Sequence, residues 1–338
     1  MKIAIYGQSA DKISKNIFLE LLSISKSENI ILLIEKKYNS ILLHKSEISH
    51  THKLFSSYED LDSTIDLMIT IGGDGTLLRS ITFVRDLGIP IIGINTGRLG
   101  FLATLNQELL NVELKKILKG EFKIEERSLL EVRVNNNDDF SDFNFALNEV
   151  SVGRKNTTSM IEIKTTLNGE YLNTYWADGL IVSTPTGSTG YSLSCGGPIM
   201  TPSSQTFSIT PIAPHNLNAR PLVISDEIKI ELSVEGREET HLLSLDSRIN
   251  SLKNNVKIKI KKANYKIKLA SSQNNSFYKT YTGGDLDTVL RTLKIISASK
   301  KHLEITNLII PTLNDDEESF RNLLKWIKVE LGKNTPLH

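Results

Sequence analysis

The 338-residue sequence predicts an α/β domain with a parallel sheet, followed by a second, β-rich and mostly antiparallel domain. Three observations support this fold class. At about 150 residues per domain, the length favours roughly two domains. Up to about residue 126, short apolar runs alternate with helical patterns, which is typical of a parallel sheet with crossover helices. From about Ser128, apolar and polar residues alternate one by one, as in strands with one buried face.

The α/β domain, predicted over residues 1–126, begins with a strand at Ile3–Tyr6 and a helix over Ile13–Ile24. Later strands are expected at 30–34, 65–71 and 89–94, and later helices at 76–87 and 106–118. The nearly continuous apolar run at 65–71 suits a strand that is buried on both faces, and it ends at Gly72-Gly73-Asp74-Gly75. Ligands bind outside the carboxyl ends of parallel strands and between domains, so we expect this glycine-rich turn to face the second domain.

The β-rich domain is predicted over residues 127–276. Apolar residues recur at every second position, for example at Leu130, Val132 and Val134, and the same pattern at Ile267 and Leu269 assigns the last strand to this domain. Asn168-Gly169 lies between two such runs and predicts a two-residue hairpin turn.

Residues 277–338 have a different character and predict an extra C-terminal tail of helix, strand and helix. The helices are expected at 286–298 and from an N-cap at Asn314 to Leu331, and the strand at 303–310. Four acidic residues follow Asn314, where they suit the positive end of the helix dipole.

The composition excludes several classes of protein. Forty basic and 39 acidic residues leave a formal net charge of +1, which gives no global field for a nucleic acid or a membrane surface. No run approaches the roughly 18 apolar residues of a membrane span, and the N-terminus has no signal-peptide pattern. Cys195 is the single cysteine, so it forms no intramolecular disulfide. These observations favour a cytoplasmic protein without nucleic-acid or membrane partners.

The turn Gly72-Gly73-Asp74-Gly75 has the chemistry of a phosphate site. Three glycines leave backbone N–H groups accessible, and a helix that begins directly afterwards points its positive end at the same place. A carboxylate beside phosphates is repulsive unless it binds a metal ion or accepts a proton, and both roles fit phosphoryl transfer. Spacing alone leaves open a Gly/Asp turn without function.

A second candidate loop follows the apolar run that ends near Val182. It reads Ser-Thr-Pro-Thr-Gly-Ser-Thr-Gly-Tyr-Ser and offers several O–H and N–H donors within a few residues. Such a loop suits the phosphates or ribose of a nucleotide, although a solvated Ser/Thr/Gly loop has the same composition.

Several motifs occur in one order along the chain. They are Gly72-Gly-Asp-Gly-Thr76, Asn95-Thr-Gly-x-x-Gly-Phe-Leu102, the pair Asn148-Glu149, the segment from Ala177 to Pro198, and Pro211-Ile-Ala-Pro-His215 with Arg220-Pro-Leu-Val. Over about residues 1–276 the sequence thereby resembles the bacterial NAD kinase family. Lipid kinases and phosphofructokinases share the first motif, so the Asn-Glu pair and the long 177–198 segment make the resemblance specific.

The resemblance implies an ATP-dependent enzyme that phosphorylates the 2′-hydroxyl of the adenosine ribose of NAD to give NADP. Asp74 would accept the proton of this hydroxyl, and Gly75 and Arg79 would line the nucleotide site. Asn148 and Glu149 would hold ribose hydroxyls, as an amide and a carboxylate can. Asp178 would contact the nicotinamide half or a neighbouring subunit's ligand. The remaining implied contacts are an adenine wall and an adenosine-wrapping loop, formed by Asn95 and Phe101 and by Thr189, Gly190, Tyr191, Ser192, Leu193 and Ser194.

The same resemblance implies ATP and NAD as substrates and a divalent cation, Mg²⁺, as cofactor, with no residue assigned as a metal ligand. It also implies a homo-oligomer, either a dimer or a tetramer. Two alternatives remain: a lipid-kinase-like enzyme with the same first motif, and a nucleotide-binding protein with impaired catalysis.

The tail departs from the family pattern. From about Phe277 the chain resembles a fragment of a radical S-adenosylmethionine enzyme, in Thr282-Gly-Gly-Asp-Leu, in 303–314 and in Trp326-Ile327. Such enzymes hold an iron–sulfur cluster with three cysteines, and these are absent here. We therefore expect no radical chemistry from this chain.

Overall fold

The computed structural model describes residues 1–44, 52–97, 100–103, 105, 110–134, 144–156, 159–215, 219–272, 292–295, 297–298 and 317–331. The chain divides into two compact units, Met1–Gln273 and Asn274–His338. None of the described helices is long and apolar enough to cross a membrane.

The first part of the larger unit alternates strands and helices. Its elements are β1 (Lys2–Gly7), α1 (Lys12–Ser27), β2 (Ile31–Glu35), α2 (Lys36–His44), β3 (Lys53–Phe55), β4 (Leu67–Ile71), α3 (Asp74–Val84), β5 (Ile91–Ile94), α4 (Leu110–Leu118) and β6 (Phe122–Arg127). The predicted strands and helices of this part are confirmed, with shifted ends. The expected helix start at residues 106–109 lies outside the described residues, and the sequence reasoning missed α2, β3 and β6.

The second part of the larger unit consists almost entirely of strands. Its elements are β7 (Leu130–Val134), β8 (Phe145–Ala146), β9 (Glu149–Gly153), β10 (Ile161–Leu167), β11 (Glu170–Ala177), β12 (Gly179–Ser183), α5 (Tyr191–Ser194), β13 (Thr206–Ile212), β14 (Leu222–Ser225), β15 (Ile230–Glu235), β16 (Thr240–Leu245), β17 (Arg248–Lys253), β18 (Lys257–Lys262) and β19 (Ile267–Ser272). The predicted hairpin turn between β10 and β11 is confirmed, with positive φ angles of 50° at Asn168 and 89° at Gly169.

The elements form three sheets. The seven-stranded sheet has the order β3-β2-β1-β4-β5-β19-β6, and its first strands run parallel, as predicted. The two six-stranded sheets, β11-β10-β15-β18-β7-β8 and β14-β13-β12-β9-β16-β17, are antiparallel. They share one apolar core, in which Val132 and Ile163 of one sheet join Val152 and Leu180 of the other. The predicted fold class is therefore confirmed.

Contrary to what their alternation suggested, Ile267 and Leu269 do not join the antiparallel sheets of the β-rich part. They belong to β19, which pairs parallel to β5 and antiparallel to β6 in the seven-stranded sheet. Alternating apolar residues report one buried face but not the sheet that provides it. The predicted domain boundaries at residues 126 and 276 stay predictions.

The smaller unit contains one long described helix, α6 (Glu317–Glu330), which the sequence predicted. Described residues within 292–298 are also helical, and Lys294 Nζ lies 2.6 Å from Glu330 Oε2. The Ser297 hydroxyl donates to the carbonyl oxygen of Leu331 at 3.0 Å. The predicted N-cap at Asn314 and the predicted strand at 303–310 lie outside the described residues.

Candidate active site

The glycine-rich turn connects the central strand β4 to helix α3. At Gly72 the backbone has a φ of 154°, and a Cβ atom there would overlap the Thr76 side chain. Cβ atoms at Gly73 and Gly75 would instead meet no atom within 4 Å. The turn is therefore tightly packed at its first glycine and open at the next two, where a ligand can approach the backbone at the positive end of α3.

Backbone donors hold the Asp74 carboxylate in one orientation. Oδ1 accepts hydrogen bonds from the N–H groups of Leu102 at 3.1 Å and Ala103 at 2.9 Å, and Oδ2 accepts one from Phe101 at 2.8 Å. A carboxylate oxygen has two lone-pair sites, so the described donors saturate Oδ1 and leave one site of Oδ2. Oδ2 is therefore the atom that can accept a further hydroxyl group.

Asn148 precedes β9 and Glu149 is its first residue. Strand β9 pairs directly with β12, and the second candidate loop follows β12. Asn148 Oδ1 and Glu149 Oε2 are buried, and neither has a hydrogen-bond partner among the described residues. Burial, together with the negative charge of Asp246, raises the pKa of Glu149 to about 7. Buried polar atoms usually have partners, so these two oxygens are candidates for contact with a bound ligand.

The loop after β12 packs directly onto this pair. The Thr184 hydroxyl donates to the Leu147 carbonyl at 2.5 Å, and the Thr184 N–H donates to the Asn148 carbonyl at 2.9 Å. A Cβ atom at Gly187 would overlap the Asn148 backbone. The glycine thus permits the close approach that joins the two predicted motifs.

A cavity of about 500 Å³ brings several predicted residues together. Glu149, Asp178 and Tyr191 line it, along with Arg154 and Ser247 among others. The Asp178 carboxylate is oriented by Arg154, whose Nε lies 3.1 Å from Oδ1.

The loop residues predicted to wrap an adenosine do not all reach this surface. Tyr191 is 46% exposed and Leu193 40% exposed, Ser194 is exposed, and Thr189 and Gly190 are half-buried. The Ser192 side chain is fully buried, and its hydroxyl lies 3.0 Å from that of Thr210. The structure therefore does not bring the Ser192 hydroxyl to the cavity.

Arg79 lines a second cavity, of about 360 Å³, between helix α3 and the turn from β16 to β17. Asp246, Ser247 and Arg248 line its other side, so this part of α3 faces the β-rich part of the unit. The Gln8 side chain, with its amide oriented by hydrogen bonding, accepts from Nε and Nη1 of Arg79 at 3.2 Å each.

The two residues predicted for an adenine wall differ in exposure. Phe101 is 48% exposed next to Asp74, so its ring is available to a planar ligand. Asn95 is 5% exposed, and its Oδ1 accepts from the N–H of Gly97 at 2.8 Å, which holds the turn after β5.

Sequence reasoning missed Arg154, which orients Asp178, and Thr184, which binds the backbone of Leu147 and Asn148. It left Asp246 without a role. Asp246 and Ser247 have positive φ angles of 47° and 67°. An Asp-Ser pair that interrupts the alternation between two strands was the available signal of a turn.

Within the described part of the chain, no group of three or more His, Cys, Asp or Glu side chains lies close enough to hold a metal ion. The described residues thus do not fit a metal site built by the protein alone. Magnesium typically binds substrate phosphates with only one or two protein carboxylates.

Comparison with known proteins identifies the family. Residues 8–122 match the family described as ATP-NAD kinase N-terminal domain, and residues 147–272 match the ATP-NAD kinase C-terminal domain. The NAD kinase of Flavobacterium psychrophilum is 52% identical over 281 residues, which cover 83% of this chain and 96% of that protein. The NAD kinase of Bacteroides fragilis is 38% identical over 280 residues, which cover 83% and 96%.

Two solved structures have the same architecture. An NAD kinase from Archaeoglobus fulgidus in complex with ATP superposes with a TM-score of 0.64 at 28% identity, covering 86% of this chain and 99% of that chain. Yeast NADH kinase complexed with NADH superposes with a TM-score of 0.74 at 21% identity, covering 83% and 86%, and supports the fold alone. Since the family matches span most of the chain and include the 177–198 segment that makes the resemblance specific, the chain belongs to the ATP-NAD kinase family.

Proposed function

We propose that this chain transfers the terminal phosphoryl group of ATP to the 2′-hydroxyl of the adenosine ribose of NAD, giving NADP and ADP. The observation that carries this proposal is the Asp74 carboxylate, which three backbone N–H groups hold beside the open glycine-rich turn with one lone pair of Oδ2 unused. Family membership supplies the substrate classes, since the relatives are named NAD kinase.

In the proposed reaction, the ribose 2′-hydroxyl donates a hydrogen bond to Asp74 Oδ2. The hydroxyl oxygen forms a bond to the γ-phosphorus while the bond from this phosphorus to the bridging oxygen breaks, and its electron pair leaves with ADP. Asp74 Oδ2 accepts the hydroxyl proton as the new bond forms. A carboxylate is a weak base, so its contribution depends on fixed position and on proton acceptance late in the transfer. The three backbone donors provide that fixed position.

The other predicted residues have binding roles in this proposal. Asn148 Oδ1 and Glu149 Oε2 accept hydrogen bonds from ribose hydroxyls, which gives both buried oxygens a partner. Arg79 attracts nucleotide phosphates near Gly75, Asp178 receives the nicotinamide half, and Asn95 and Phe101 border the adenine. Thr189, Gly190, Tyr191, Leu193 and Ser194 contact the adenosine, and Ser192 supports them from the interior.

We propose Mg²⁺ as the divalent cation. This ion would bind the triphosphate of the donor and would neutralise charge there. A homo-oligomer, a dimer or a tetramer, and a cytoplasmic location remain part of the proposal. The resemblance of residues 277–338 to a radical S-adenosylmethionine enzyme stays a prediction.

The test is NADP formation by the purified 338-residue chain with ATP, Mg²⁺ and NAD. We expect turnover by the wild type. For Asp74→Asn we expect a reduction on the order of 1,000-fold in kcat, because the amide cannot accept a proton and has an NH2 group in place of one acceptor oxygen. The matched control is Asp66→Asn. Asp66 lies directly before β4, whereas Asp74 lies after it. Oδ2 of Asp66 accepts a hydrogen bond from the backbone N–H of Lys2 at 2.7 Å. An Asp74→Asn variant with full activity would remove the base from the mechanism.

Turnover also decides between the main proposal and the catalytically impaired alternative. A folded chain that binds NAD, measured by calorimetry, but forms no NADP would support a binding protein. A folded chain that binds no NAD would contradict both.

A further inference from the structure

We propose that Asp246 is the positioning residue for the phosphoryl acceptor, because it holds the backbone that presents Asn148 and Glu149 to the bound dinucleotide. This inference rests on the proposed function and deepens it. Asp246 lies in the turn between β16 and β17 and does not need to touch a substrate to act in this way.

The Asp246 carboxylate binds three consecutive backbone N–H groups. Oδ2 accepts from Leu147 at 2.6 Å, and Oδ1 accepts from Asn148 at 2.8 Å and Glu149 at 3.1 Å. In return, the backbone N–H of Asp246 donates to the Glu149 carbonyl at 3.1 Å. The side chain is only 2% exposed, so water does not compete for these bonds.

The turn itself is constrained so that this carboxylate points inward. Asp246 has a φ of 47°, in the left-handed region, which aspartate adopts more readily than bulkier residues. Nη2 of Arg248 lies 3.8 Å from Asp246 Oδ2, and this guanidinium also donates to the backbone carbonyls of Leu245 and Phe145. Arg248 therefore fixes the turn against the strand end that leads into Leu147.

Thr184 fixes the same segment from its other side. Its hydroxyl and its N–H donate to the carbonyls of Leu147 and Asn148, while Asp246 binds the N–H groups. The backbone polar groups of this segment are thus bound by Asp246 and Thr184, whereas Asn148 Oδ1 and Glu149 Oε2 have no partner among the described residues. These hydrogen bonds hold the backbone in place and leave the two side-chain oxygens for a ligand.

The test compares Asp246→Asn with wild type in steady-state kinetics. The amide offers one acceptor oxygen and directs an NH2 group at backbone donors, so the segment loses at least one hydrogen bond and gains a repulsive contact. We expect KM for NAD to rise about 10- to 100-fold, as for a displacement near 1 Å, while KM for ATP changes less than about twofold.

A pH profile gives a readout that general loss of structure would not move. Among the described residues, the titratable and charged groups around Glu149 are Asp246 from the turn with its partner Arg248, Tyr191 from α5, and the Arg154–Asp178 pair on the same cavity. Asp246 is the negative charge that raises the pKa of Glu149 along with burial, so its removal should move the acidic limb of kcat/KM for NAD to lower pH.

The matched control is Asp226→Asn, which removes another buried carboxylate, one that lies 2.8 Å from Lys262 Nζ. We expect this variant to lose thermal stability while its KM for NAD and its pH profile stay like wild type. Equal KM values for NAD in wild type and Asp246→Asn, or an unmoved acidic limb, would overturn the inference.

Two further measurements keep the inference testable. If Asp246→Asn does not fold, hydrogen exchange of the wild type should still show slow exchange at the amides of Leu147, Asn148 and Glu149, and fast exchange there would overturn the proposal. Absence of NADP formation by wild type would instead contradict the proposed function, so the two failures are distinguishable.

Discussion

At the scale of single residues, the geometry of the proposed base depends on the absence of a side chain at Gly100. A Cβ atom at that position would overlap both oxygens and the carboxyl carbon of Asp74. The close approach lets the N–H groups of Phe101, Leu102 and Ala103 reach the carboxylate. Gly100 is therefore a requirement of the orientation of Asp74 and not of a turn with positive φ.

We predict that Gly100→Ala reduces kcat for NADP formation on the order of 100-fold, because the methyl group displaces the carboxylate or the three donors. Gly97→Ala is the control in the same loop, since a Cβ there meets no atom within 4 Å. Steady-state kinetics and thermal unfolding of both variants test this. Equal kcat values for the two variants would show that Asp74 tolerates displacement.

Glu149 is a proposed ligand-binding residue whose ionisation in the folded chain lowers the free energy of unfolding. Burial and the charge of Asp246 raise its pKa from 4.5 to about 7, so the folded chain holds a proton that the unfolded chain releases. The contribution of Glu149 to stability is complete below pH 4.5 and is lost as the pH rises through about 7.

We therefore predict that Glu149→Gln, which stays neutral, increases the free energy of unfolding at pH 8 by up to roughly 3 kcal/mol and has no such effect near pH 4.5. Denaturant unfolding at both pH values is the measurement. Glu126→Gln, at an exposed carboxylate 3.0 Å from Lys266 Nζ, serves as the control without this gain. A gain of equal size at both pH values would contradict the pKa assignment. The same variant should bind NAD more weakly, since it loses a carboxylate acceptor.

At the scale of elements, the sequence predicts strands more reliably than their partners. Within the run at 65–71, the residues that form β4, Leu67–Ile71, are all buried in the middle of the seven-stranded sheet, as their continuous apolar character indicates. The last strand, β19, has the alternating pattern of the β-rich part, yet it lies between β5 and β6. Local pattern records exposure, whereas the choice of sheet depends on contacts far away in sequence.

In the candidate site, too, the sequence predicts local features better than contacts between distant segments. Motif order, through the resemblance to a known family, pointed to Asp74, Asn148 and Glu149, whereas the residue types alone also allowed a plain turn and a plain strand end. The sequence did not predict that Thr184 and Asp246 hold the Asn148-Glu149 segment, since Asp246 follows that segment by almost 100 residues. Nor could it show that Ser192 points into the interior, because that depends on the hydroxyl of Thr210 across the loop.

At the scale of the whole molecule, the course of β19 decides where the chain can be shortened. This strand closes the seven-stranded sheet by joining β5 to β6, so the first part of the larger unit is incomplete until residue 272. The family match likewise ends at residue 272, and the compact unit ends at Gln273. Both observations place the end of the catalytic unit directly after this strand.

We predict that a chain of residues 1–273 unfolds cooperatively and forms NADP with a kcat within about twofold of the full chain. A chain that ends at Lys266 should not fold, because it lacks the strand that connects the edge strand β6 to the parallel strands, and an unpaired sheet edge in the interior leaves N–H and C=O groups without partners. Thermal unfolding and NADP formation by the two truncated chains are the measurements. If the 273-residue chain fails to fold while the full chain folds, residues 274–338 contribute to the stability of the kinase unit. If it folds but loses activity, they contribute to the site.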